Sequence, residues 1–181
     1  ERFGRYSFIG LPARTLLRAS ALDDGTTLTE IVTDGAVVEQ HAGNPLDFID
    51  AYQARFKVAL RPGLPRFCGG LAGYFGYDAV RYIEPKLSKT WKPGGIDTPD
   101  ILLLQTEELA VIDNLSGRLY LIVYADPKQP ESYFNGKRRL SELGDRLRYS
   151  VTAPPVRRGP SYAVEREFSK ADYLKAVAVA K

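Results

Sequence analysis

Most of the chain is patterned for strands. Apolar residues alternate with polar ones, or run unbroken over short stretches, and few segments carry the spacing of an amphipathic helix. Residues 5–9 and 14–19 read as short strands separated by Gly10-Leu11-Pro12. Leu28, Glu30 and Val32 alternate with Thr29, Ile31 and Thr33, a strand without one cleanly apolar face. Asp34-Gly35 is a hairpin signal that returns the chain along 36–40. Residues 5–40 therefore predict an antiparallel meander. Asn44-Pro45 opens a helix: Asn44 suits the cap, Pro45 the first helical position, and Asp47 the positive end of the dipole. Leu46, Ile49, Tyr52 and Phe56 fall at helical spacing as one buried stripe, and Pro62 to Pro65 ends this unit.

The glycine-rich stretch 69–84 reads as a strand over 67–76 turning into a helix over 78–84, with Asp78 as N-cap and Pro85 as terminator. Gly70, Gly73 and Gly76 admit a close backbone or ring, as in a kinked core strand packed under a helix. Their spacing is not that of a phosphate cradle, and no G-K-[ST] follows. Residues 85–99 form a loop with Lys86, Lys89 and Lys92, pinned by the lone Trp91. Residues 100–113 and 118–125 are long strand candidates, the second apolar on both faces and so expected to be buried on both. Between them Asp113 to Gly117 is a hairpin loop, with Gly117 suited to a left-handed backbone.

Residues 130–149 predict a helix with Tyr133, Leu140, Leu143 and Leu147 on one side, and Gly136 and Gly144 either weaken it or let it lie close to a sheet. Pro154-Pro155, Arg157-Arg158-Gly159 and Pro160 mark 150–168 as a linker. Ser169-x-x-Asp172 resembles a capping box opening a further helix, whose apolar face is Tyr173, Leu174 and Val177. The pattern predicts an α+β fold, mainly antiparallel sheets with helices packed on the outer faces, with a domain over 1–149, the linker over 150–168, and a further helix over 169–181.

Composition narrows the function classes more than it assigns one. At 181 residues and 44% hydrophobic the chain can bury a sizeable core. Its 25 basic and 22 acidic residues nearly cancel. That argues against nucleic acid as partner, despite Arg138, Arg139, Arg146, Arg148, Arg157 and Arg158. No apolar run reaches membrane length, no signal peptide opens the chain, and the single Cys68 forbids an internal disulfide, which fits the cytoplasm. The absence of methionine and the end at Ala180-Lys181 inside a predicted helix read as a segment of a longer polypeptide.

No catalytic residue and no metal ligand is assigned. His41 is expected on the surface and Cys68 buried and inert. Asp23-Asp24 sits in a turn, and Glu107 and Glu108, consecutive in a strand, point to opposite faces and cannot share a proton.

Two separated motifs carry a resemblance. Residues 69–84 resemble the G-G-x-x-G-Y-x-G-Y-D-x-x-R-x-x-E segment of the N-terminal domain of anthranilate synthase component I, and residues 4–10 resemble that family's G-R-Y-S-F-I-G. Tyr173 to Val177 is similar to the Y-L-x-A-V helix that opens the family's catalytic domain, so the resemblance covers essentially the whole chain. Lys86-Leu87-Ser88-Lys89 departs from the Leu-Pro and acidic residues usual there, which leaves any role of that loop open.

The resemblance implies a lyase that converts chorismate and ammonia to anthranilate and pyruvate in tryptophan biosynthesis. It implies a glutamine amidotransferase partner as the ammonia source, magnesium and chorismate bound in a C-terminal catalytic domain, and feedback by L-tryptophan. Of the effector site, Arg5, Tyr6 and Ser7 are carried over: a guanidinium for a carboxylate or acidic neighbour, a ring to flank an indole, and a hydroxyl for an ammonium. Without that site role, Tyr6 and Phe8 fill the core on one face while Arg5 and Ser7 face the other way. The alternatives are aminodeoxychorismate synthase component I, which shares architecture and substrate, and a non-catalytic amino-acid-binding module.

Overall fold

The computed structural model describes residues 4–22, 24–88, 97–150, 159 and 168–181. The chain divides into two compact units, Glu1–Tyr149 and Ser150–Lys181. In the first, β1 (Tyr6–Gly10) belongs to a three-stranded antiparallel sheet in the order β1-β7-β8, with β7 (Glu108–Asp113) and β8 (Arg118–Val123). A five-stranded antiparallel sheet has the order β4-β3-β2-β6-β5. It comprises β2 (Thr15–Ala21), β3 (Thr27–Thr33), β4 (Ala36–Ala42), β5 (Gly70–Phe75) and β6 (Ile101–Thr106). The α+β reading holds, with antiparallel pairing throughout both sheets.

Local signals shape the first half. Asp34 (φ 50°) and Gly35 (φ 84°) form the left-handed turn that joins β3 to β4. Helix α1 (Pro45–Gln53) starts where expected: the Asn44 side chain accepts from the Leu46 amide at 2.9 Å, and Pro45 occupies the first turn. Its buried face is Pro45, Phe48, Ile49 and Tyr52, and the last three pack with Leu17, Ala19, Ile31, Ala79, Ile101 and Leu103 into the main core. Phe48 therefore joins the stripe. Phe56 lies past the helix end, partly exposed, with its ring edge-on to Tyr52 at 5.2 Å.

Several expectations need correction. The meander over 5–40 is only β2-β3-β4. β1 leaves it and pairs instead with β7, in register from Tyr6↔Asp113 to Gly10↔Leu109. The strand read over 100–113 is two strands, interrupted at Glu107, and they belong to different sheets. A single residue off the ladder redirects the chain there, and the unbroken apolar pattern does not mark it. β5 is an edge strand rather than a core strand. Asp78 is not an N-cap: a 3-10 helix spans Tyr77–Tyr82, capped by Gly76 without a side-chain bond, and Asp78 pairs with Arg81 one turn on. Pro85 opens a one-turn helix, α2 (Pro85–Ser88), rather than ending one. β8 is half-buried, not buried on both faces, because it forms the sheet edge.

Helix α3 (Ser132–Arg146) covers β8. A Cβ at Gly136 would meet the Ala125 Cβ at 3.6 Å, so this glycine allows the close approach to the sheet. Leu143 is buried, but Tyr133 and Leu147 are 64% and 59% exposed, against the expected stripe. In the second unit, α4 (Lys170–Ala180) begins at a Ser169 cap whose hydroxyl accepts from the Asp172 amide at 3.1 Å, as the capping-box pattern predicts. Lys89, Trp91, Lys92 and Arg157-Arg158 lie outside the described residues, as does most of the stretch read as a linker.

Candidate functional site

Arg5, Tyr6 and Ser7 meet at the end of β1 where β7 turns into the loop toward β8. The Arg5 guanidinium donates to the Asp113 carboxylate from Nε at 3.4 Å and from Nη2 at 3.2 Å, a forked pair joining the two strands. Arg5 also lies over the Tyr6 ring, 4.9 Å from its centroid. Asp113 is buried and also accepts from the Leu115 and Ser116 amides, fixing the loop. Hydrogen bonds from Arg5 push its carboxyl down to about 2; burial opposes this, and Ser116 and Leu115 reinforce it. Asn114 closes the arrangement: its side-chain amide donates to Gly4 O at 3.0 Å and to Ser7 Oγ at 3.1 Å, and its backbone amide donates to Arg5 O at 2.7 Å.

The three candidates are thus brought together, and each already has a partner within the chain. Asp113 and Asn114 are the residues that sequence reasoning missed. They read only as loop formers, and their role depends on a pairing between residues 108 positions apart. Tyr6 and Phe8 do share one face of β1, at 6.1 Å between rings, and Phe67 meets Phe8 edge-on at 5.5 Å.

The polar residues of the glycine-rich motif gather elsewhere. Asp78, Arg81 and Tyr82 line a cavity of about 90 Å³ with Ala21, Gly25, Thr27 and Asp100. Asp100 accepts from the Tyr82 hydroxyl at 2.6 Å and from the Ala21 amide at 3.0 Å. Burial, then the Asp100 bond, raises the Tyr82 phenol well above its usual range. The Arg81 guanidinium holds Asp78 through Nε at 2.9 Å. Through Asp100, Tyr82 ties the 3-10 helix to the ends of β2 and β6, a structural use of the motif.

Other titratable residues singled out in the sequence also have partners. Arg139 donates to Glu108 through Nε and Nη2 at 2.9–3.0 Å, while Glu107 accepts from Gln105 at 2.6 Å, so the adjacent carboxylates serve different partners. His41 is half-buried and stacked on Phe48 at 4.8 Å, rather than lying on the surface. Cys68 is buried and accepts from the Tyr124 hydroxyl at 3.8 Å. A Cβ on Gly69 (φ 145°) would collide with the Tyr124 ring, so here a glycine does admit an aromatic side chain. Among the described residues no group of three or more His, Cys, Asp or Glu is placed to hold a metal ion, and no helix is long and apolar enough to cross a membrane.

No protein-family model matches the chain. Individual proteins do. Anthranilate synthase component 1 of Neisseria meningitidis (strain FAM18) is 50% identical over 157 residues, 85% of this chain and 31% of that protein. The Pseudomonas aeruginosa protein of the same name is 42% identical over 183 aligned positions, 98% of this chain and 36% of its own length. That of Acinetobacter calcoaceticus is 36% identical across the whole chain, again 36% of its length. A crystal structure of anthranilate synthase component I from Streptococcus pneumoniae matches 98% of this chain and 37% of its own at a TM-score of 0.66 and 20% identity, which bears on the fold. The chain spans about a third of the length of the curated relatives it matches. It is homologous to the N-terminal portion of anthranilate synthase component 1, as the two motifs implied.

Proposed function

We propose that this chain is the regulatory and structural N-terminal part of an anthranilate synthase large subunit. The observation that carries the reading is its 42–50% identity to proteins of that name over 85–98% of its length. The parent enzyme would be a cytoplasmic lyase of tryptophan biosynthesis. It would remove the enolpyruvyl side chain of chorismate as pyruvate and add ammonia to give anthranilate, with the ammonia drawn from glutamine by an amidotransferase subunit. Magnesium belongs to that chemistry, but the described residues offer no carboxylate cluster for it. The reading assigns the ion to the part of the enzyme beyond this chain and routes no step through these residues.

On this reading Arg5, Tyr6 and Ser7 belong to the tryptophan effector site. Arg5 and Ser7 act by fixing β1 against Asp113 and Asn114, and Tyr6 offers a ring face beside them. Tryptophan would favour an arrangement of the enzyme in which chorismate turnover is slower, a coupling between distinct sites.

The test is product formation from chorismate, magnesium and ammonium by the full gene product. Anthranilate and pyruvate support the reading. Aminodeoxychorismate moves the protein to the folate pathway. No consumption of chorismate overturns both and favours a binding module. In an active enzyme, Arg5→Gln is expected to raise the tryptophan concentration for half-inhibition about tenfold while leaving uninhibited turnover unchanged. An unchanged inhibition curve removes Arg5 from the effector site.

A further inference from the structure

The chain holds three asparagines, Asn44, Asn114 and Asn135, and the residue after each decides what its side-chain amide can do. An asparagine loses ammonia when the next backbone nitrogen attacks its side-chain carbonyl carbon. That nitrogen must carry a hydrogen, lie unhindered and be free of other bonds. Pro45 supplies no N–H. Leu115 brings a branched side chain and its amide donates to Asp113 Oδ1 at 3.1 Å, while the Asn114 side chain is held by Gly4 O and Ser7 Oγ. Only Asn135 precedes a glycine, whose missing Cβ leaves the nitrogen unhindered. Asp24-Gly25 and Asp34-Gly35 share the glycine, but Thr26 and Arg14 hold those carboxylates ionised, and an ionised carboxylate offers a poor leaving group.

Position and charge favour the same pair. Asn135 is exposed in the first turn of α3. Lys137, Arg138 and Arg139 follow within four residues and stabilise the glycine nitrogen as it gives up its proton. Inside α3 the Gly136 N–H points back along the axis into the helical ladder, while the Asn135 side chain projects outward. Ring closure therefore waits for the backbone at 135 to leave its helical dihedrals. This end of the helix is the less firmly held. Glu131 caps it from a left-handed backbone (φ 60°) without a side-chain bond, Tyr133 and Phe134 are exposed, and the buried side chain of α3, Leu143, lies further along. The Ser132 hydroxyl on Asp126 O, the contact of Gly136 with Ala125, and the Arg139–Glu108 pair hold it down.

We propose that Asn135-Gly136 is a site of spontaneous covalent modification, gated by opening of the first turn of α3. The Gly136 nitrogen gives its proton to solvent and bonds to the Asn135 side-chain carbonyl carbon. The bond from that carbon to Nδ2 breaks, and Nδ2 takes up a proton and leaves as ammonia. Water then opens the cyclic imide at either carbonyl, leaving aspartate or isoaspartate at 135. One water is consumed and one ammonia released, with no oxidant and no cofactor. Isoaspartate lengthens the backbone by a methylene, which carries Gly136 off Ala125 and Arg139 off Glu108 and so unlocks α3 from β8. The proposal needs neither the homology nor the assigned activity, and turnover does not enter its test.

The experiment ages the full gene product in mildly alkaline buffer and follows the mass and isoaspartate content of each asparagine peptide by mass spectrometry. Asn135 is expected to convert first, ahead of Asn44 and Asn114. Arg139→Gln, which removes the tie to Glu108, should speed conversion about two- to fivefold by easing local opening. Urea below the unfolding midpoint should raise the same rate in the parent, and this arm stands even where Arg139→Gln does not fold. Gly136→Ala, which keeps the helix and hinders the nitrogen, should leave Asn135 intact over the same interval. An Asn135 that converts no sooner than Asn114 overturns the proposal. So does a rate that neither Arg139→Gln nor urea raises, or one that Gly136→Ala leaves unchanged.

Discussion

Gly73 and Gly144 can each be changed to alanine with one added methyl group, and the structure predicts opposite signs. A Cβ at Gly73 would sit inside the van der Waals envelope of the Leu102 carbonyl oxygen, and 2.9 Å from both the Leu102 carbonyl carbon and the Leu103 Cα. All three are backbone atoms of the paired strand and cannot rotate aside. Carbon contacts settle at about 3.5–4.0 Å, so β5 and β6 must separate by roughly 0.5–1 Å. Because the Gly76 amide donates to Asp100 O, the flanking hydrogen-bonded pairs are Tyr74↔Leu102 and Ala72↔Leu104.

Weakening those bonds by half costs about 2 kcal/mol at about 1 kcal/mol each, and overpacking adds about 1 kcal/mol or more. Gly73→Ala should therefore destabilise by about 3 kcal/mol, lowering Tm by about 6–12 °C for a chain of this size. At Gly144, inside α3, nothing lies within 4 Å of the added methyl. There alanine gains helix propensity, about 0.8–1 kcal/mol, and Tm should rise by about 2–4 °C. Urea and thermal unfolding of the two variants beside the parent read both numbers. A Gly73→Ala variant within about 1 kcal/mol of the parent would refute the claim that β5 and β6 approach too closely for a side chain.

Three further outcomes follow from burial and charge. Asp113 has its carboxyl pushed down to about 2 by Arg5, below the unfolded value of about 3.9, so its contribution is present above pH 4 and lost as pH falls toward 2; Asp113→Asn should flatten that acid limb in Tm against pH. Tyr124 is pushed up to about 12 by burial and then by its bond to Cys68, so its contribution is present below pH 10 and lost as pH rises toward 12. Tyr124→Phe should remove a late-titrating phenolate from the 295 nm absorbance titration. Leu143→Ala, at a buried position, should cost about 2–4 kcal/mol in urea unfolding, while Leu147→Ala, exposed at the helix end, should stay within about 0.5 kcal/mol.

The features read correctly from the sequence are those set within a few residues. Asn44-Pro45, Asp34-Gly35, Gly117 (φ 66°) and Ser169-x-x-Asp172 each act through their own backbone, and each appears where the pattern put it. What failed depends on partners far along the chain. Nothing in residues 5–9 says that β1 skips β2 for β7, and nothing in 100–113 says that two sheets share it at Glu107. Tyr133 and Leu147 match the helical period of Leu143, yet both are exposed, one at each end of α3, so periodicity overstates the stripe. The candidate site divides the same way. Arg5, Tyr6 and Ser7 were visible as a motif, whereas the Asp113 and Asn114 that hold them were not, because hydrogen bonding across a long loop leaves no local trace.

The pairing of β1 with β7 also has a consequence during synthesis. Arg5 leaves the ribosome 108 residues before Asp113. At a translation rate of about 5–20 residues per second, the first strand waits on the order of 5–20 s for the partner that completes its ladder. Throughout that interval the nascent chain displays an uncharged Tyr-Ser-Phe-Ile-Gly run, which invites chaperone capture, whereas the β7–β8 hairpin and α3 can form as soon as they emerge. Slowing or pausing translation between β4 and β7 would lengthen that exposed interval without altering a single contact of the finished protein.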